Sequence, residues 1–407
     1  MATYTNIESN ASGRGLVSIS GFDIQGAGNN LDQVTIKEIN LGESLLTPGL
    51  QTAVVCQNSI YIPPGKDFDS FKNKAISFSL SCKDKGSLPV NQKIYRLDNR
   101  EWLPTNVGQT EEFILHACDE TQMEDARKLV SQSWKCSSPS RIAQEILGTC
   151  AGAKNMQIEQ ADNERDYIAE NIHPFQVIAQ QTNVALANGN DPSFLHFMTY
   201  GDDGGIHHFE SLNKLCNGAI VETFVHGETG MAGEGNYDNQ NSIISFSFPC
   251  DFDYLSDLLN GLEDGKNMNT LGIVNFTAKA FSQLGSSDMS CGGIGGFNYK
   301  QALSNQATAE DQDSCNLDVE NHLLRRQARM SLLEKDKIAL RMVVPWNPKL
   351  HAGVVIKFDW KNKHQPNPPV YGSGKYLILS MMHTIRLGGF STTTIECVST
   401  SVGQGEV

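Results

Sequence analysis

The stretch GKYLILSMMHTIRLGGFSTTTIECVSTS, Gly374 to Ser401, decides whether the chain reads as an enzyme or as a piece of architecture. Its first half places Leu377, Leu379, Met381, His383 and Ile385 at every second position, the period of a strand with one buried face. Leu387-Gly388-Gly389-Phe390 supplies a turn, and Thr392 to Thr394 suit a pleated return strand. The histidine falls on the apolar face, where a hydrogen-bonded core residue is expected rather than a catalytic base. The stretch therefore reads as a closing β-hairpin.

Similar texture fills the N-terminal part. From Leu16 to about Ile114 the runs GLVSISGFDI, VTIKEINLGESLL, LQTAVVCQNSIYI and KAISFSLSCK alternate apolar and polar residues, with turn signals at Thr47-Pro48-Gly49 and Pro63-Pro64-Gly65. In VTIKEINL two polar residues fall together, and the broken period predicts a β-bulge. At Asp119 the pattern changes. DETQMEDARKLVSQSW spaces Met123, Ala126, Leu129 or Val130, and Trp134 near a helical period, which predicts one helix. SSPSRIAQEILG predicts a second, with Ser138 as N-cap, Pro139 at the first position and Gly148 as the stop.

A third helix is expected from Pro174, turning Phe175, Ile178, Ala179 and Ala185 inward, followed by two strands around Asp202-Asp203-Gly204-Gly205. Strands return in GAIVETFVHG and NSIISFSFP, with a short helix in DFDYLSDLLNGL capped by Asp251. Residues 284–320, rich in Gly, Ser, Asn and Asp, read as a long loop. A helix is expected in VENHLLRRQARMSLLEKDK, then strands in IALRMVVP and GVVIKFDW before the hairpin. The expected division is a β domain over 1–117, an α+β domain over 118–216 and a second β domain over 217–407.

The chain has 407 residues and a net charge of -14, which argues against general affinity for nucleic-acid phosphates. Its ten cysteines are scattered with no C-x-x-C pair, as expected of reduced, mostly buried thiols. No secretory signal or membrane-spanning run is visible, and the sequons at Asn10 and Asn275 read as chance matches.

No residue earns a catalytic, cofactor-binding or metal-binding assignment. CGGIGG, Cys291 to Gly296, lacks dinucleotide-site spacing, no P-loop is present, and Cys291 has no identifiable histidine partner. His207 and His208 are adjacent and would point to opposite faces of a strand, so they cannot chelate one metal as a helical pair would. His116, His173, His196 and His226 are isolated in sequence, and Glu111-Glu112 and Asp202-Asp203 read as solvated pairs.

Three stretches, taken in order, resemble the baseplate hub protein of contractile-tailed bacteriophages. VTIKEINLGESLLTPGLQTAVVCQNS, Val34 to Ser59, is similar to that family's opening strand pair, with Glu43-Ser44 and a Pro48-x-Leu50 turn, and DSFKNKAISFSLSC continues it. HPFQVIAQQTNVALANGNDPSFLHFMTYGDDGGIHHFESLNKL, His173 to Leu215, resembles its Pro-Phe helix followed by a strand, a Gly turn and an aromatic strand. The hairpin from Gly374 resembles its terminal element.

The resemblance implies a β-rich α+β fold: two tube-type antiparallel β-barrel domains plus a smaller α+β domain, assembled as a pseudo-six-fold homotrimeric ring. It implies a non-enzymatic hub in the virion tail baseplate, assembled in the host cytoplasm without cofactors. The implied partners are the tail tube protein, the trimeric central spike protein, baseplate wedge proteins and the tape measure protein. DNA would pass through without specific binding, and three copies at -14 each would carry -42 toward a repelling channel wall. A tail-like bacteriocin or secretion machine would use the same module. A cell-wall hydrolase with a composite site and a receptor-binding adhesin are rivals of another class.

Overall fold

A computed structural model of the chain describes residues 17–25, 34–58, 71–82, 86–105, 108–187, 191–201, 204–226, 243–249, 340–360, 372–387 and 389–399. It also describes Arg326 and short strands between 262 and 305. The N-terminal elements are strands β1 (Ser18–Ile24), β2 (Val34–Ser44), β3 (Gln51–Asn58), β4 (Ala75–Cys82), β5 (Gly86–Thr105) and β6 (Gly108–Cys118). A middle unit follows with α1 (Glu120–Arg127), β7 (Val130–Ser137), α2 (Pro139–Glu145), a π-helical turn (Ile146–Ala151), β8 (Asn155–Ile158), β9 (Arg165–Ile172) and α3 (Pro174–Thr182). It ends with β10 (Phe194–Gly201), β11 (Gly204–Ser211) and α4 (Leu212–Cys216).

The C-terminal part contains β12 (Ile220–His226), β13 (Ser245–Ser247), the short strands β14 (Leu262–Glu263), β15 (Lys266–Asn267), β16 (Thr270–Asn275), β17 (Ala280–Gly285) and β18 (Gln301–Asn305), then β19 (Leu340–Pro345) and β20 (Val355–Trp360). The closing hairpin is β21 (Gly374–Arg386) and β22 (Thr392–Val398). The fold is α+β and β-rich, as expected. Its backbone is one large, mainly antiparallel sheet ordered β1-β4-β5-β6-β3-β2-β21-β22-β19-β13, with β20 on β21 and β12 parallel to β20. The β2–β21 pairing, which sets Leu41 against His383, joins the two ends of the chain in one sheet. Closure of that sheet into a barrel is not among the pairings of the described residues.

The bulge expected in β2 is present: the register slips between Ile36 and Glu38. A second bulge was not anticipated. In β21 the register slips between Ile378 and Ser380, so Leu377 and Leu379 face one core, with Leu45, Leu195 and Phe197. Tyr376, Ile378 and Met381 face another, with Phe358 and Ile395. The single apolar face expected for residues 377 to 385 is therefore split, because one extra residue inverts the alternation. The Glu38 and Met382 side of the sheet is half-buried or exposed, and carries three ion pairs among the described residues: Lys37 with Glu112 at 2.6 Å, Arg386 with Glu38 at 3.0 Å and Arg341 with Glu396 at 2.5 Å.

In the middle unit the first helix stops early. Asp119 caps α1 in a capping box with Gln122, but Lys128 is already extended, and Val130 and Trp134 lie on β7, paired with β9. Residues four apart share a face in a strand as well as in a helix, which is why the helical pattern overran. Ser138 and Pro139 start α2 as expected, while Gly148 does not stop it: the chain continues through the π turn to Gly152, whose φ of 74° ends it. α3 begins at Pro174 and buries Val177 and Ile178, with Ala185 buried beyond its end; Phe175, half-buried, packs inward against the same core as expected, whereas Ala179 is exposed, contrary to expectation.

Within 284–320, expected to be loop, Gln301–Asn305 forms β18 parallel to β16. The helices expected in DFDYLSDLLNGL and around residues 319–337 lie outside the described residues, except for Leu262, which is on β14, and Arg326. Among the described cysteines only Cys56 and Cys397 are buried and free, Cys216 is exposed, and Cys136 is disulfide-bonded to a partner outside the described residues. The expectation of reduced, mostly buried thiols fails to that extent.

Candidate functional site

The β10–β11 hairpin is where the middle unit meets the large sheet. Its strands pair from Phe194 with Ser211 to Gly201 with Gly204. Gly204 has a φ of 111°, a conformation L side chains rarely adopt, and a side chain on Gly205 would collide with Met198. Phe194 belongs to the middle unit's own core, Met198 and Tyr200 to the core under β1–β6, and Leu195 and Phe197 to a third cluster with Leu45, Val355 and Leu377. One strand thus feeds three cores.

Beside it lies Glu43, inward on β2 between Leu41 and Leu45, its side chain fully buried. Its Oε1 accepts from the Tyr200 backbone N–H at 2.8 Å and from His351 Nδ1 at 3.0 Å, and its Oε2 accepts from the Ala352 N–H at 2.8 Å. One carboxylate thereby ties β2, β10 and the β19–β20 connection. Burial alone would raise its pKa, but the His351 charge and these bonds outweigh burial and hold it below the ordinary value. Burial would likewise depress His351, yet Glu43 holds it above 6.5. Tyr200 adds a second tie, its hydroxyl donating to the Gln51 carbonyl at 2.8 Å, with Thr52 Oγ1 at 3.0 Å.

At the hairpin's other side runs a buried polar chain. Thr121 Oγ1 donates to Asp119 Oδ1 at 2.6 Å and lies 3.0 Å from His207 Nε2, while His207 Nδ1 lies 3.1 Å from His196 Nε2. With the threonine proton on the carboxylate, His207 Nε2–H donates to Thr121, and neutral His207 accepts from His196 Nε2–H. Asp119 Oδ2 accepts from the Gly205 N–H at 3.0 Å. Burial takes His207 down to about 4 and His196 well below its ordinary value, so both are neutral at pH 7. Phe175 meets both rings edge-on.

His207 and His208 do point to opposite faces: His208 stacks on Phe197 and bonds Thr199 Oγ1 at 2.9 Å. His196, isolated in sequence, is brought to His207 by the hairpin register. Among the described residues no group of His, Cys, Asp and Glu has metal-site geometry, and no helix is long and apolar enough to cross a membrane.

The remaining candidates are dispersed. His383 is fully buried, with Nδ1 2.8 Å from Thr393 Oγ1, its ring edge-on to Trp346 and its pKa lowered by burial to about 3. It is a hydrogen-bonded core residue. His116 sits 3.2 Å from Asp98, and His173 Nδ1 is 2.8 Å from the Asp125 carbonyl. Glu112 pairs with Lys37. Cys291 with its glycines, the side chains of Glu111 and His226, and Asp202-Asp203 lie outside the described residues.

No protein-family model matches the chain, and no curated protein matches it in sequence. Among solved structures, a tail protein from Neisseria meningitidis MC58 superposes with a TM-score of 0.53 at 10% identity, covering 95% of this chain and 97% of that one. A 43 kDa tail protein of prophage MuSo2 from Shewanella oneidensis gives 0.49 at 9% identity over 90% and 96% of the two chains. An Escherichia coli component of the type VI secretion system gives 0.47 at 9% identity over 96% and 79%. The chain shares the fold of the Neisseria tail protein over nearly its whole length.

Proposed function

We propose that the chain is a structural, non-enzymatic hub of a contractile phage tail, joining the tail tube to a trimeric central spike. The observation that carries this reading is the single sheet built from both ends of the chain, held on a middle unit by the β10–β11 hairpin, in a fold shared end to end with a tail protein. In this reading residues 1–117 and 217–407 are two tube-type β domains and 118–216 a connecting α+β domain. Three chains then present six similar domains to a hexameric tube and a three-fold face to the spike. Baseplate wedge and tape measure proteins are the other partners, in the virion baseplate, after assembly in the host cytoplasm.

The open sheet face is the natural wall for a channel through which DNA passes. On that face three ion pairs, Lys37–Glu112, Arg386–Glu38 and Arg341–Glu396, balance the charges they involve. A wall of this kind repels DNA little and holds it little. The buried, neutral His207 and His196 beside Asp119 support a packing role rather than acid–base chemistry.

Light scattering on the purified chain, followed by cryo-EM of the oligomer, tests the proposal. Three chains in a pseudo-six-fold ring are expected. A monomer that stays monomeric with tube and spike proteins present, or one that clears peptidoglycan, overturns it.

A further inference from the structure

The Glu43 junction holds an ion pair whose two members differ in exposure. Glu43 is sealed, but the His351 side chain keeps 23% of its surface exposed, so its proton can exchange with solvent. Its Nδ1 lies 3.0 Å from Glu43 Oε1, and the Pro348 backbone further favours the protonated ring. A neutral imidazole brings no charge to the buried carboxylate, whereas the imidazolium brings a full positive one. We propose that His351 is a proton-operated catch: protonated, it locks the middle unit onto the large sheet through Glu43, and deprotonated, it leaves a buried carboxylate without its cation, so that the β10 attachment loosens first.

The other titratable groups around the pair do not compete for this role. From β21, His383 is fully buried and pairs with Thr393; from β10, Tyr200 donates its hydroxyl to Gln51. From α1's cap, Asp119 is engaged by Thr121 and Gly205; from β12, Glu222 accepts from Asn347 Nδ2 at 3.2 Å, four residues before His351. His351 is the partly open cation among them. The sign follows from its raised value: the stabilisation is complete below the unfolded histidine pKa and is lost as pH rises through the higher folded value. Loosening is therefore an alkaline event. The proposal concerns the isolated chain and does not depend on the hub assignment.

The test compares wild type with His351→Gln by thermal unfolding across about pH 6 to 9. The wild-type midpoint is expected to fall across the window, with the fall absent in the variant. Amide hydrogen exchange then reads the site: protection of Tyr200 and Ala352, relative to Leu80 in β4, drops by about tenfold over the wild-type titration. Should the variant fail to fold, NMR titration of the histidine rings in the wild type decides. A His351 ring titrating at or below the ordinary value, or Tyr200 protection that tracks Leu80 at every pH, overturns the proposal.

Discussion

Strands β4 and β10 have the same length and opposite characters. β4 buries Ile76, Phe78 and Leu80 and leaves Ala75, Ser77 and Ser79 half-exposed, as a strand with one solvated face should. β10 is buried on both faces from Phe194 to Tyr200, including the polar His196 and Thr199. Burial on two faces leaves no water to satisfy a polar group, so each polar residue of the hairpin needs an internal partner; His196 finds His207, Thr199 finds His208 and the Tyr200 N–H finds Glu43. The outer serines of β4 need none. The sheet tolerates change on one side, whereas the hairpin tolerates almost none.

Substitutions can break that contrast, beginning with the largest effect. Glu43→Ala removes the partner of a half-buried cation and of two backbone N–H groups and is expected to cost about 3–5 kcal/mol in urea unfolding. Because the Glu43 carboxyl is held low, its contribution is present above the ordinary value of 4.5 and is lost only as pH falls through the lower folded value. Phe197→Ala opens a cavity between the hairpin and the sheet and should cost about 3 kcal/mol or more.

Tyr200→Phe removes the hydroxyl bonded to Gln51 and Thr52, for about 1–2 kcal/mol. Thr199→Val keeps the shape but takes the partner from His208 Nε2, for about 1 kcal/mol. Ser79→Ala on β4 should stay within about 0.5 kcal/mol by the same measurement. Equal costs for Thr199→Val and Ser79→Ala would dissolve the distinction between the strands.

Much of this was legible in the sequence where a local rule had a single solution. The doubled polar residues in VTIKEINL announced the β2 bulge, and Ser138-Pro139 announced the start of α2. The Gly-Gly turn fixed the hairpin and with it the meeting of His196 and His207, since Met198 pairs with His207 and His196 follows two positions along on the same face. Val130 and Trp134 misled because their spacing suits two structures. The β21 bulge was hidden because both faces there are apolar, so no break in pattern marks the extra residue. Glu43 carries its own signal in the sequence: an acid at an inward position between Leu41 and Leu45 must have a partner. That the partner is His351, 308 positions on, is a property of the tertiary fold and of nothing local.

The join between β2 and β21 also sets a timetable. Glu38 and Arg386, neighbours across that join, are 348 positions apart in the chain. A ribosome adding about 5–20 residues per second exposes β2 as an unpaired edge for tens of seconds before β21 emerges to cover it. Throughout that interval the nascent chain offers an open template to any neighbour with a free strand. Only when β21 pairs with β2 is that edge covered from within the same chain.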